Sequence, residues 1–365
     1  MKKGQKMYKI NSDVVVENEG KLIRIDGIEL SFTEDITQFV DNMNNTLKKS
    51  RLSEDTKLLC QLIDSGIITI ENVDHFPKHI VNTFFCLELN NLRLDILSNK
   101  RKIGIFSVPY FEGSKIPMHI ESIEKMKKES QKIPNINFFA SNTKCSNIDV
   151  SDYGTLNFIK GESLKKLEYF SKSIMRSKIL PIFVGGDHSI TYSIIKGLFE
   201  NSIEKIRILK FDSHSDFGDF GDFIHHGNVF NWLEKDFPLE IVNFGNYTPM
   251  VEEEAEYVSK KSISFSDIKK LIGYLKENKM KTYISFDIDV LNSNIMGGVS
   301  YPNPQGINLS CISYFIKHYL RESNEVIGMD FVEYNSFFDN NNTYAYTSAY
   351  VLYMILDGLR QNEVT

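Results

Sequence analysis

Strand-like and helix-like segments alternate from Lys102 to the end of the chain, and few folds accommodate such a pattern. Apolar stretches such as Leu180–Val184 and Arg207–Phe211 are typical of buried strands, and segments with helical spacing, such as Ser189–Glu200, follow them. This alternation predicts an α/β domain over residues 102–365, in which a mostly parallel sheet carries helices on both faces.

Polar side chains follow four of the predicted strands at the point where each strand ends. In a doubly wound sheet, ligands bind beyond the carboxyl ends of the strands, so these side chains are candidates for one shared site. One of them alone could be a capping residue or part of a surface loop, but four such strand ends are hard to explain by solvation. The residues are His188 after Leu180–Val184, Asp212, His214 and Asp216 after Arg207–Phe211, Asp287 and Asp289 after Tyr283–Phe286, and Glu333 after Val326–Phe331.

Asp212, His214 and Asp216 occupy alternate positions directly after a strand. In an extended segment alternate side chains point the same way, so the three groups are expected to converge on one small volume. Carboxylates packed together carry excess negative charge, and burying that charge in a folded protein is energetically unfavourable. A divalent cation such as Mn²⁺ would balance it. An isolated Asp-x-His-x-Asp could equally be a solvated acidic loop.

Six candidate metal ligands are more than one ion of the common types needs. A single Mg²⁺ or Ca²⁺ would not need two imidazoles, and a catalytic Zn²⁺ needs only three protein ligands. Because carboxylates can be shared, the set suits two metal ions about 3.5–4 Å apart with an activated water between them. The six are His188, Asp212, His214, Asp216, Asp287 and Asp289.

Three motifs together resemble the arginase/agmatinase/formiminoglutamase (ureohydrolase) family. They are Gly-Gly-Asp-His-Ser at 185–189, Asp-Ser-His-Ser-Asp at 212–216 and Ser-Phe-Asp-Ile-Asp at 285–289, and the resemblance covers about residues 102–360. It implies a three-layer α/β fold and two Mn²⁺ per chain, which hydrolyse a guanidino group to urea and an amine. It further implies that one Mn²⁺ takes His188, Asp212, Asp216 and Asp287, and that the other takes His214, Asp289 and, as bridging ligands, Asp212 and Asp287.

The resemblance also implies catalytic roles for three residues. Asp216 has a spare oxygen that could orient a bridging hydroxide, whose formation two divalent ions favour. Glu333 matches the family's carboxylate that pairs with the substrate guanidinium, although a glutamate there would otherwise be read as a surface residue. His226, in His225-His226-Gly227, matches the family's proton shuttle, and an imidazole pKa in the neutral range would suit protonation of the departing amine. His225 is expected to be structural or peripheral.

One loop departs from the family pattern. Relatives that bind free arginine carry Gly-x-Arg-Asp or a similar sequence where this chain has Asn246, Tyr247 and Thr248, none of which is charged. A site for a free amino acid should pair the charges of its α-groups. The neutral loop therefore argues against free arginine and favours a substrate whose α-groups are in amide bonds.

The first part of the chain, residues 1–72, is predicted to be a separate small α+β unit. Met7–Glu17, Lys21–Ile25 and Ile28–Phe32 are predicted to form a three-stranded meander, which helices and a further short strand follow. This order is winged-helix-like. Residues 73–101 are expected to be a linker between this unit and the α/β domain.

Two stretches of this unit resemble the PqqD-like domains that recognise precursor peptides on enzymes modifying ribosomally made peptides. They are Tyr8-Lys-Ile-Asn-Ser-Asp-Val-Val-Val at the front and Leu62-Ile-Asp-Ser-Gly-Ile-Ile at the back. The resemblance implies that a leader peptide adds as a strand to an exposed sheet edge. A small accessory or oligomerisation domain is the alternative.

The leading hypothesis is a peptide arginase, which converts arginine side chains of a ribosomally synthesised precursor peptide to ornithine. The alternatives are a small-molecule ureohydrolase, such as an arginase or agmatinase with an unrelated N-terminal extension, and a catalytically silent metal-binding scaffold. The net charge of −6 argues against nucleic acid as a partner. No apolar run reaches transmembrane length, so no membrane is expected, and four scattered cysteines suit a reducing cytoplasm. A homo-oligomer is expected by analogy with the family alone.

Overall fold

The computed structural model describes most of the second half of the chain and parts of the first half. The described residues are 8–10, 14–17, 21–25, 28–31, 35–40, 62, 67–70, 77–78, 83–87, 92–98, 101–133, 149–157, 163–199, 204–218 and 221–360. Among them the strands, in chain order, are β1 Tyr8–Ile10, β2 Val15–Glu17, β3 Leu22–Ile25, β4 Ile28–Ser31, β5 Ile68–Ile70, β6 Pro77–Lys78, β7 Lys102–Ser107, β8 Asp149–Leu156, β9 Ile179–Val184, β10 Ile206–Phe211, β11 Leu239–Phe244, β12 Ile263–Phe265, β13 Thr282–Asp287 and β14 Val326–Val332.

The longer helices, in the same order, are α1 Leu92–Ser98, α2 Glu121–Ser130, α3 Ser163–Met175, α4 Ile190–Phe199, α5 Val229–Asp236, α6 Glu252–Lys261, α7 Ile268–Glu277, α8 Leu309–Phe315 and α9 Thr343–Arg360. Within the ranges given above, no helix is both long and apolar enough to cross a membrane.

Nine of the described strands form one sheet, in the order β12-β11-β10-β13-β14-β9-β7-β8-β6. Neighbouring strands are parallel throughout, except that the two-residue strand β6 runs antiparallel to β8 at one edge. The prediction of a mostly parallel sheet is therefore confirmed. The four strands that precede the candidate site residues, β10, β13, β14 and β9, are consecutive in this order.

The register places the carboxyl ends of these four strands at one level. Phe211 of β10 pairs with Phe286 of β13, which pairs with Phe331 of β14, and that residue pairs in turn with Val184 of β9. Strands β9 and β10 end at these positions, and β13 and β14 end one residue later. Residues far apart in sequence consequently meet at one edge of the sheet, which is where ligands bind in folds of this type.

Side chains of the central strands alternate between two apolar cores, one on each face of the sheet. In β9, Ile182 and Val184 lie in the first core and Phe183 lies in the second, and in β10 Leu209 and Ile208 divide in the same way. Helices α7, α8 and α9 contribute to the first core, and α3, α4 and α5 contribute to the second. The sheet is thus covered on both faces, as the three-layer prediction requires, and this apolar burial is the main stabilising contribution.

In the first part of the chain, β2, β3 and β4 form an antiparallel meander, as the sequence predicts. The single strand predicted over Met7–Glu17 is instead divided between two sheets. Its first part, β1, pairs antiparallel with β5, while its last part, β2, pairs with β3. Asn-Ser-Asp at 11–13, whose residue types favour turns, separates the two strands in the sequence.

A small apolar core joins these N-terminal elements. Ile23, Ile36, Leu62 and Ile68 are buried in it, and Leu97 of α1 packs against it. Most of the helical sequence predicted after β4 lies outside the described residues. The winged-helix-like order and the boundary at residue 72 therefore stay predictions.

Parts of the predicted linker, residues 73–101, pack against the large sheet. Strand β6 extends the sheet beside β8, and Leu92 of α1 enters the second core. Asp95 of α1 accepts hydrogen bonds from Lys102 Nζ at 3.0 Å and from the Tyr153 hydroxyl at 2.6 Å. The described parts of this segment are consequently structural elements of the sheet domain.

Candidate metal centre

The loop after β10 carries three of the predicted ligands, but it is not the extended segment that their alternate spacing predicts. It bends after Asp212, and Asp216 has a φ of 55° in the left-handed region, which is costly for a residue other than glycine. Lys210 Nζ holds the bend, because it donates hydrogen bonds to the carbonyl oxygens of His214 and Ser215, both at 2.7 Å. The three side chains therefore separate into two neighbouring groups and do not converge on one point.

The first group surrounds His188. Its Nδ1 lies 3.2 Å from Asp212 Oδ2, 2.9 Å from Asp216 Oδ2 and 3.3 Å from Asp287 Oδ2. A first-row divalent ion has ligand bonds of about 2 Å, so ligand atoms around one ion lie about 3 Å apart. The ligand atoms of His188, Asp212 and Asp216 all lie within 4.8 Å of one another, as around a single ion, and Asp287 lies next to His188.

The second group surrounds His214. Its Nδ1 lies 2.9 Å from Asp289 Oδ2 and 3.6 Å from Asp212 Oδ1. Asp212 therefore presents one carboxylate oxygen to each group, which is the placement of a bridging ligand. Asp287 ends its strand beside the first group, and its Oδ1 accepts a hydrogen bond from the backbone N–H of Asp289 at 2.8 Å.

The electrostatics of these residues fit a pair of divalent cations. Burial, together with the carboxylates of Asp289 and Asp212, raises the pKa of Asp287 well above its ordinary value. Burial and Asp212 also raise the pKa of Asp289 to about 6. Within the described part of the chain, His188 Nδ1 and Asp212 Oδ2 are buried without a hydrogen-bond partner. Nitrogen and oxygen donors with this excess of negative charge suit first-row divalent ions such as Mn²⁺.

A hydrogen-bonded network orients His188. Its Nε2 lies 2.8 Å from Ser285 Oγ, and Ser285 Oγ donates to Asp330 Oδ1 at 2.8 Å. Asp330 Oδ2 also accepts from Thr191 at 2.9 Å and from Tyr283 at 3.0 Å. Because Ser285 gives its proton to Asp330, its oxygen accepts from Nε2–H, which leaves the Nδ1 lone pair directed at the carboxylates. Sequence reasoning missed this network, although a carboxylate inside an apolar strand could have indicated it.

Lys210 is a second residue that sequence reasoning missed. Its buried Nζ lies 3.0 Å from Asp212 Oδ2, 3.6 Å from Asp216 Oδ2 and 4.5 Å from the ring centre of Phe230. Burial alone would lower the pKa of Lys210, but Asp212 and Asp216 outweigh burial and raise it. The ammonium group therefore balances part of the carboxylate charge. A lysine near the end of the mainly apolar strand Ile206–Phe211, directly before the first candidate ligand, was the available indication.

Glu333 enters the site from the end of β14. It has a φ of 69°, and its backbone N–H donates to the Gly186 carbonyl at 3.2 Å. Its Oε1 accepts a hydrogen bond from the backbone N–H of His188 at 2.8 Å. These contacts fix a buried carboxylate beside the first ligand group, in a backbone conformation that is strained for glutamate.

His226 lies on the other side of this carboxylate, with Nδ1 3.3 Å from Glu333 Oε1. Burial would lower the pKa of His226, but Glu333, with smaller contributions from Asp216 and Asp187, raises it to about 9. The pKa in the neutral range that the sequence suggested is therefore not found, because the carboxylate stabilises the imidazolium. At neutral pH His226 carries a proton that it can donate.

His225 has a structural role in its own loop. Its Nδ1 accepts a hydrogen bond from the Gly227 N–H at 3.1 Å, and its own N–H donates to Asn228 Oδ1 at 2.8 Å. Burial lowers the pKa of His225, and the neighbouring His226 and Lys115 lower it further. The ring is therefore a neutral side chain that caps a short helix.

The neutral loop lies beside the second ligand group. The Thr248 N–H donates to the Ser213 carbonyl at 3.1 Å, and the Thr248 hydroxyl accepts from Asn303 Nδ2 at 3.4 Å. The Tyr247 hydroxyl donates to the Ser266 carbonyl at 3.2 Å. Asn246, Tyr247 and Thr248 thus bring polar but uncharged groups to this side of the site.

A parallel α/β sheet covered by helices on both faces thus gathers imidazoles and carboxylates, at the ends of its strands, into two groups that could each hold a metal ion. Residues 101–357 match the arginase family. A mitochondrial arginase of Medicago truncatula is 28% identical over 166 residues, which are 42% of this chain and 48% of that protein. An agmatinase of Neisseria meningitidis serogroup A is 26% identical over 211 residues, which are 55% of this chain and 68% of that protein.

Among solved structures, Trypanosoma cruzi formiminoglutamase with Mn²⁺₂ superposes with a TM-score of 0.64 at 20% identity, and the alignment covers 72% of this chain and 94% of that one. The likeness confirms the expected fold. The chain belongs to the arginase family, which comprises hydrolases of guanidino and amidino groups.

Proposed function

We propose that the protein hydrolyses the guanidino group of arginine side chains within a polypeptide, so that urea leaves and ornithine remains in the chain. The gathering of five ligand side chains into two groups that share Asp212, with Asp287 next to the first group, carries the hydrolytic part of this proposal. The uncharged loop at Asn246, Tyr247 and Thr248 supports the polypeptide part.

Two Mn²⁺ ions are the proposed cofactors, and the formiminoglutamase relative with Mn²⁺₂ supports that choice. When bound, two such ions supply Lewis acidity and allow a water to lose a proton near neutral pH. His188, Asp212, Asp216 and Asp287 would hold one ion. His214, Asp212, Asp287 and Asp289 would hold the other.

Three side chains act directly on the substrate and the attacking water. Glu333 pairs with the guanidinium through charge-assisted hydrogen bonds and so presents its carbon to the water. Asp216 orients that water through a carboxylate oxygen. When the bond between the guanidinium carbon and the side-chain nitrogen breaks, protonated His226 donates its proton to the departing amine. In the protein without bound metal, Glu333 raises the pKa of His226 to about 9, so the proton needed for this step is on His226 at neutral pH.

The charges of free arginine argue for the polypeptide substrate. Its α-ammonium and α-carboxylate would have to be paired in the site or left in water, and burying them unpaired is costly. Thr248 and Asn303, which contact each other beside the second ligand group, offer hydrogen bonds without charge. Such groups suit the amide N–H and carbonyl groups on either side of an arginine residue in a peptide.

The N-terminal sheet supports binding of a leader peptide. Among the described strands, β2 and β4 each pair only with β3, so both are edge strands within the described part of this small sheet. An extended peptide can add to such an edge, where main-chain hydrogen bonds give affinity. We therefore assign recognition of the precursor peptide to the first part of the chain.

A small-molecule ureohydrolase is the second candidate, and the same neutral loop favours one version of it. Agmatine is a decarboxylated arginine, so it brings no carboxylate that the loop would need to pair. The agmatinase of Neisseria meningitidis is among the relatives. The neutral loop therefore separates both candidates from a free-arginine enzyme, but does not separate them from each other.

Urea release by the Mn²⁺-loaded protein tests the proposal, with free arginine, agmatine and an arginine-containing leader–core peptide as the three substrates. We expect turnover of the peptide, with a mass change that corresponds to arginine becoming ornithine. Turnover of agmatine without turnover of the peptide would replace the proposal by the second candidate. Binding of Mn²⁺ without hydrolysis of any of the three would leave a silent metal-binding scaffold.

A further inference from the structure

Five aromatic rings form a continuous row that leads from the surface to the second ligand group. The ring centres of Phe223 and His225 are 5.7 Å apart, and those of His225 and His226 are 6.1 Å apart. The row continues from His226 to Tyr301 at 6.1 Å and from Tyr301 to His214 at 5.9 Å. We call these five residues the aromatic row. Its inner end is a candidate metal ligand and its outer end is a phenylalanine at the surface.

The aromatic row combines two exposed rings with histidines that are more buried. Phe223 is 62% exposed and Tyr301 is 50% exposed, whereas the side chains of His214 and His226 are 27% and 18% exposed. A single exposed aromatic residue needs no explanation. Two such residues connected through ring contacts to His226 form an aromatic surface that leads into the site.

The backbone beneath both exposed rings is fixed. Asn228 Nδ2 donates a hydrogen bond to the carbonyl of Phe223 at 3.0 Å. Tyr301 directly follows Ser300, whose hydroxyl accepts a hydrogen bond from Asn335 Nδ2 at 3.2 Å. Rigid aromatic side chains on an ordered backbone lose little conformational entropy when a ligand covers them. The aromatic row is therefore suited to binding.

We propose that the aromatic row is a substrate-binding surface, in which Tyr301 contacts the arginine side chain that is hydrolysed and Phe223 contacts residues that flank it in the peptide. This inference rests on the proposed function, since only a polypeptide substrate extends beyond the arginine itself. It identifies Tyr301 and Phe223 as specificity-determining residues of the same site.

Tyr301 has the chemistry that a guanidinium side chain recognises. The planar guanidinium stacks on aromatic faces and is attracted by their negative charge, and its methylene stem packs against the same ring. Tyr301 lies between the rings of His214 and His226, so a side chain that reaches Glu333 passes beside it. This contact is available to any substrate with a guanidino group.

Phe223 is placed for a longer substrate. Three successive ring contacts, of 5.7, 6.1 and 6.1 Å, lead from Phe223 to Tyr301. An extended chain advances only about 3.3 Å per residue. Several residues of a peptide are therefore needed to follow the row from Tyr301 to Phe223. A single arginine with blocked α-groups contacts Tyr301 without reaching Phe223.

The test compares KM and kcat for two substrates, a blocked single arginine (the Nα-acetyl amide) and a short blocked peptide with a central arginine. We expect Tyr301→Ala to raise KM about tenfold for both substrates, with the same Mn²⁺ content as the unaltered protein. We expect Phe223→Ala to raise KM about fivefold for the peptide and to leave that of the blocked arginine unchanged.

Phe337→Ala is the matched control, because Phe337 is 63% exposed and has its ring contact with Phe338 and none with the aromatic row. It should leave both KM values unchanged. An equal rise of peptide KM in Phe337→Ala and Phe223→Ala would overturn the proposal, as would an unchanged peptide KM in Phe223→Ala. Loss of Mn²⁺ from Tyr301→Ala would assign Tyr301 to holding His214 and would overturn its contact with substrate.

Failure of the proposed function has a different result. If the unaltered protein hydrolyses agmatine but neither arginine derivative, the proposal of a polypeptide substrate is wrong. The proposed role of Phe223 is then wrong as well. Tyr301→Ala then still tests the inner end of the row with agmatine. A raised KM for agmatine supports the contact of Tyr301 with the guanidino group, and an unchanged KM overturns it.

Discussion

The two groups of candidate ligands share Asp212 but differ in their surroundings. His188 is 1% exposed, and its Nε2 is held by Ser285 and Asp330, whereas His214 is 27% exposed and its ring contacts Tyr301 at the mouth of the site. A ligand whose second nitrogen is held by a buried network is fixed in tautomer and orientation before an ion arrives. The difference indicates a preorganised inner position and an outer position beside the path of the substrate.

This difference predicts that the two positions bind metal ions with different affinities. The inner group offers three carboxylates and a fixed imidazole with low access to water, and is therefore expected to bind an ion more tightly. The outer group contains a more exposed imidazole, the carboxylate of Asp289 and that of Asp212, which it shares with the inner group. We therefore expect the first equivalent of Mn²⁺ to enter the inner position and the second to bind more weakly.

The largest effect is expected at the residue that the two groups share. Asp212→Asn removes a negative charge that both positions use, so both ions should be lost and urea release should fall on the order of a thousandfold or more. Mn²⁺ content after desalting and kcat on the accepted substrate are the measurements. An active Asp212→Asn protein with two bound ions would contradict the sharing of Asp212.

The comparison of the two histidines gives the next effect. His188→Ala should weaken the first equivalent of Mn²⁺ by more than about a hundredfold, because it removes the one buried nitrogen ligand. His214→Ala should keep one ion per chain with nearly unchanged affinity and lose the second. Calorimetric titration with Mn²⁺ separates the two equivalents. Equal losses in both variants would show that the two positions bind as one unit, and the inner and outer distinction would be wrong.

The network behind His188 should have a smaller effect. Asp330→Asn weakens the hold on Ser285 and hence on the His188 ring, so the affinity of the first equivalent should fall about 10–100-fold. Asp339→Asn is the control, because Asp339 is also buried but accepts its hydrogen bonds from Tyr334 and the Ala345 N–H. It should lower the free energy of unfolding without changing Mn²⁺ affinity. A similar loss of affinity in both variants would mean that general destabilisation is the cause.

The same contrast shows which features of the site the sequence could predict. The sheet and the convergence of His188, Asp212 and Asp287 were predictable because strand periodicity and the carboxyl-end rule depend only on local pattern and chain direction. The way the loop divides its ligands was implied by the resemblance to a known family, but not by the alternate spacing of the three residues. It depends on the bend at Asp216 and on Lys210, whose ammonium group ties down two carbonyls, and neither follows from alternate spacing.

Long-range contacts set the remaining features. The pKa of His226 depends on Glu333, which is more than a hundred residues away in the sequence and reaches it through the ordering of β14 beside β9. The aromatic row likewise joins Phe223 to Tyr301 across loops whose register no local pattern encodes. Such contacts require the topology of the sheet, whereas a motif in the sequence requires only its own residues.

The smallest expected effect concerns pH and the outer side of the site. Glu333 raises the pKa of His226 from 6.5 to about 9, so the folded Mn²⁺-free protein holds this proton more tightly than the unfolded chain does. The stabilisation is complete below about pH 6.5 and is lost as the pH rises through about 9, with a size of at most about 3 kcal/mol. The free energy of unfolding of the unaltered protein, minus that of His226→Gln, should therefore decrease between these pH values.

His225→Gln is the matched control, because burial lowers the pKa of His225. The free energy of unfolding of the unaltered protein, minus that of His225→Gln, should therefore increase with pH around and below the ordinary pKa of histidine. If both differences were independent of pH, the charge pairing of His226 with Glu333 would be absent, and the outer side of the site would lack the proton donor that our proposal needs.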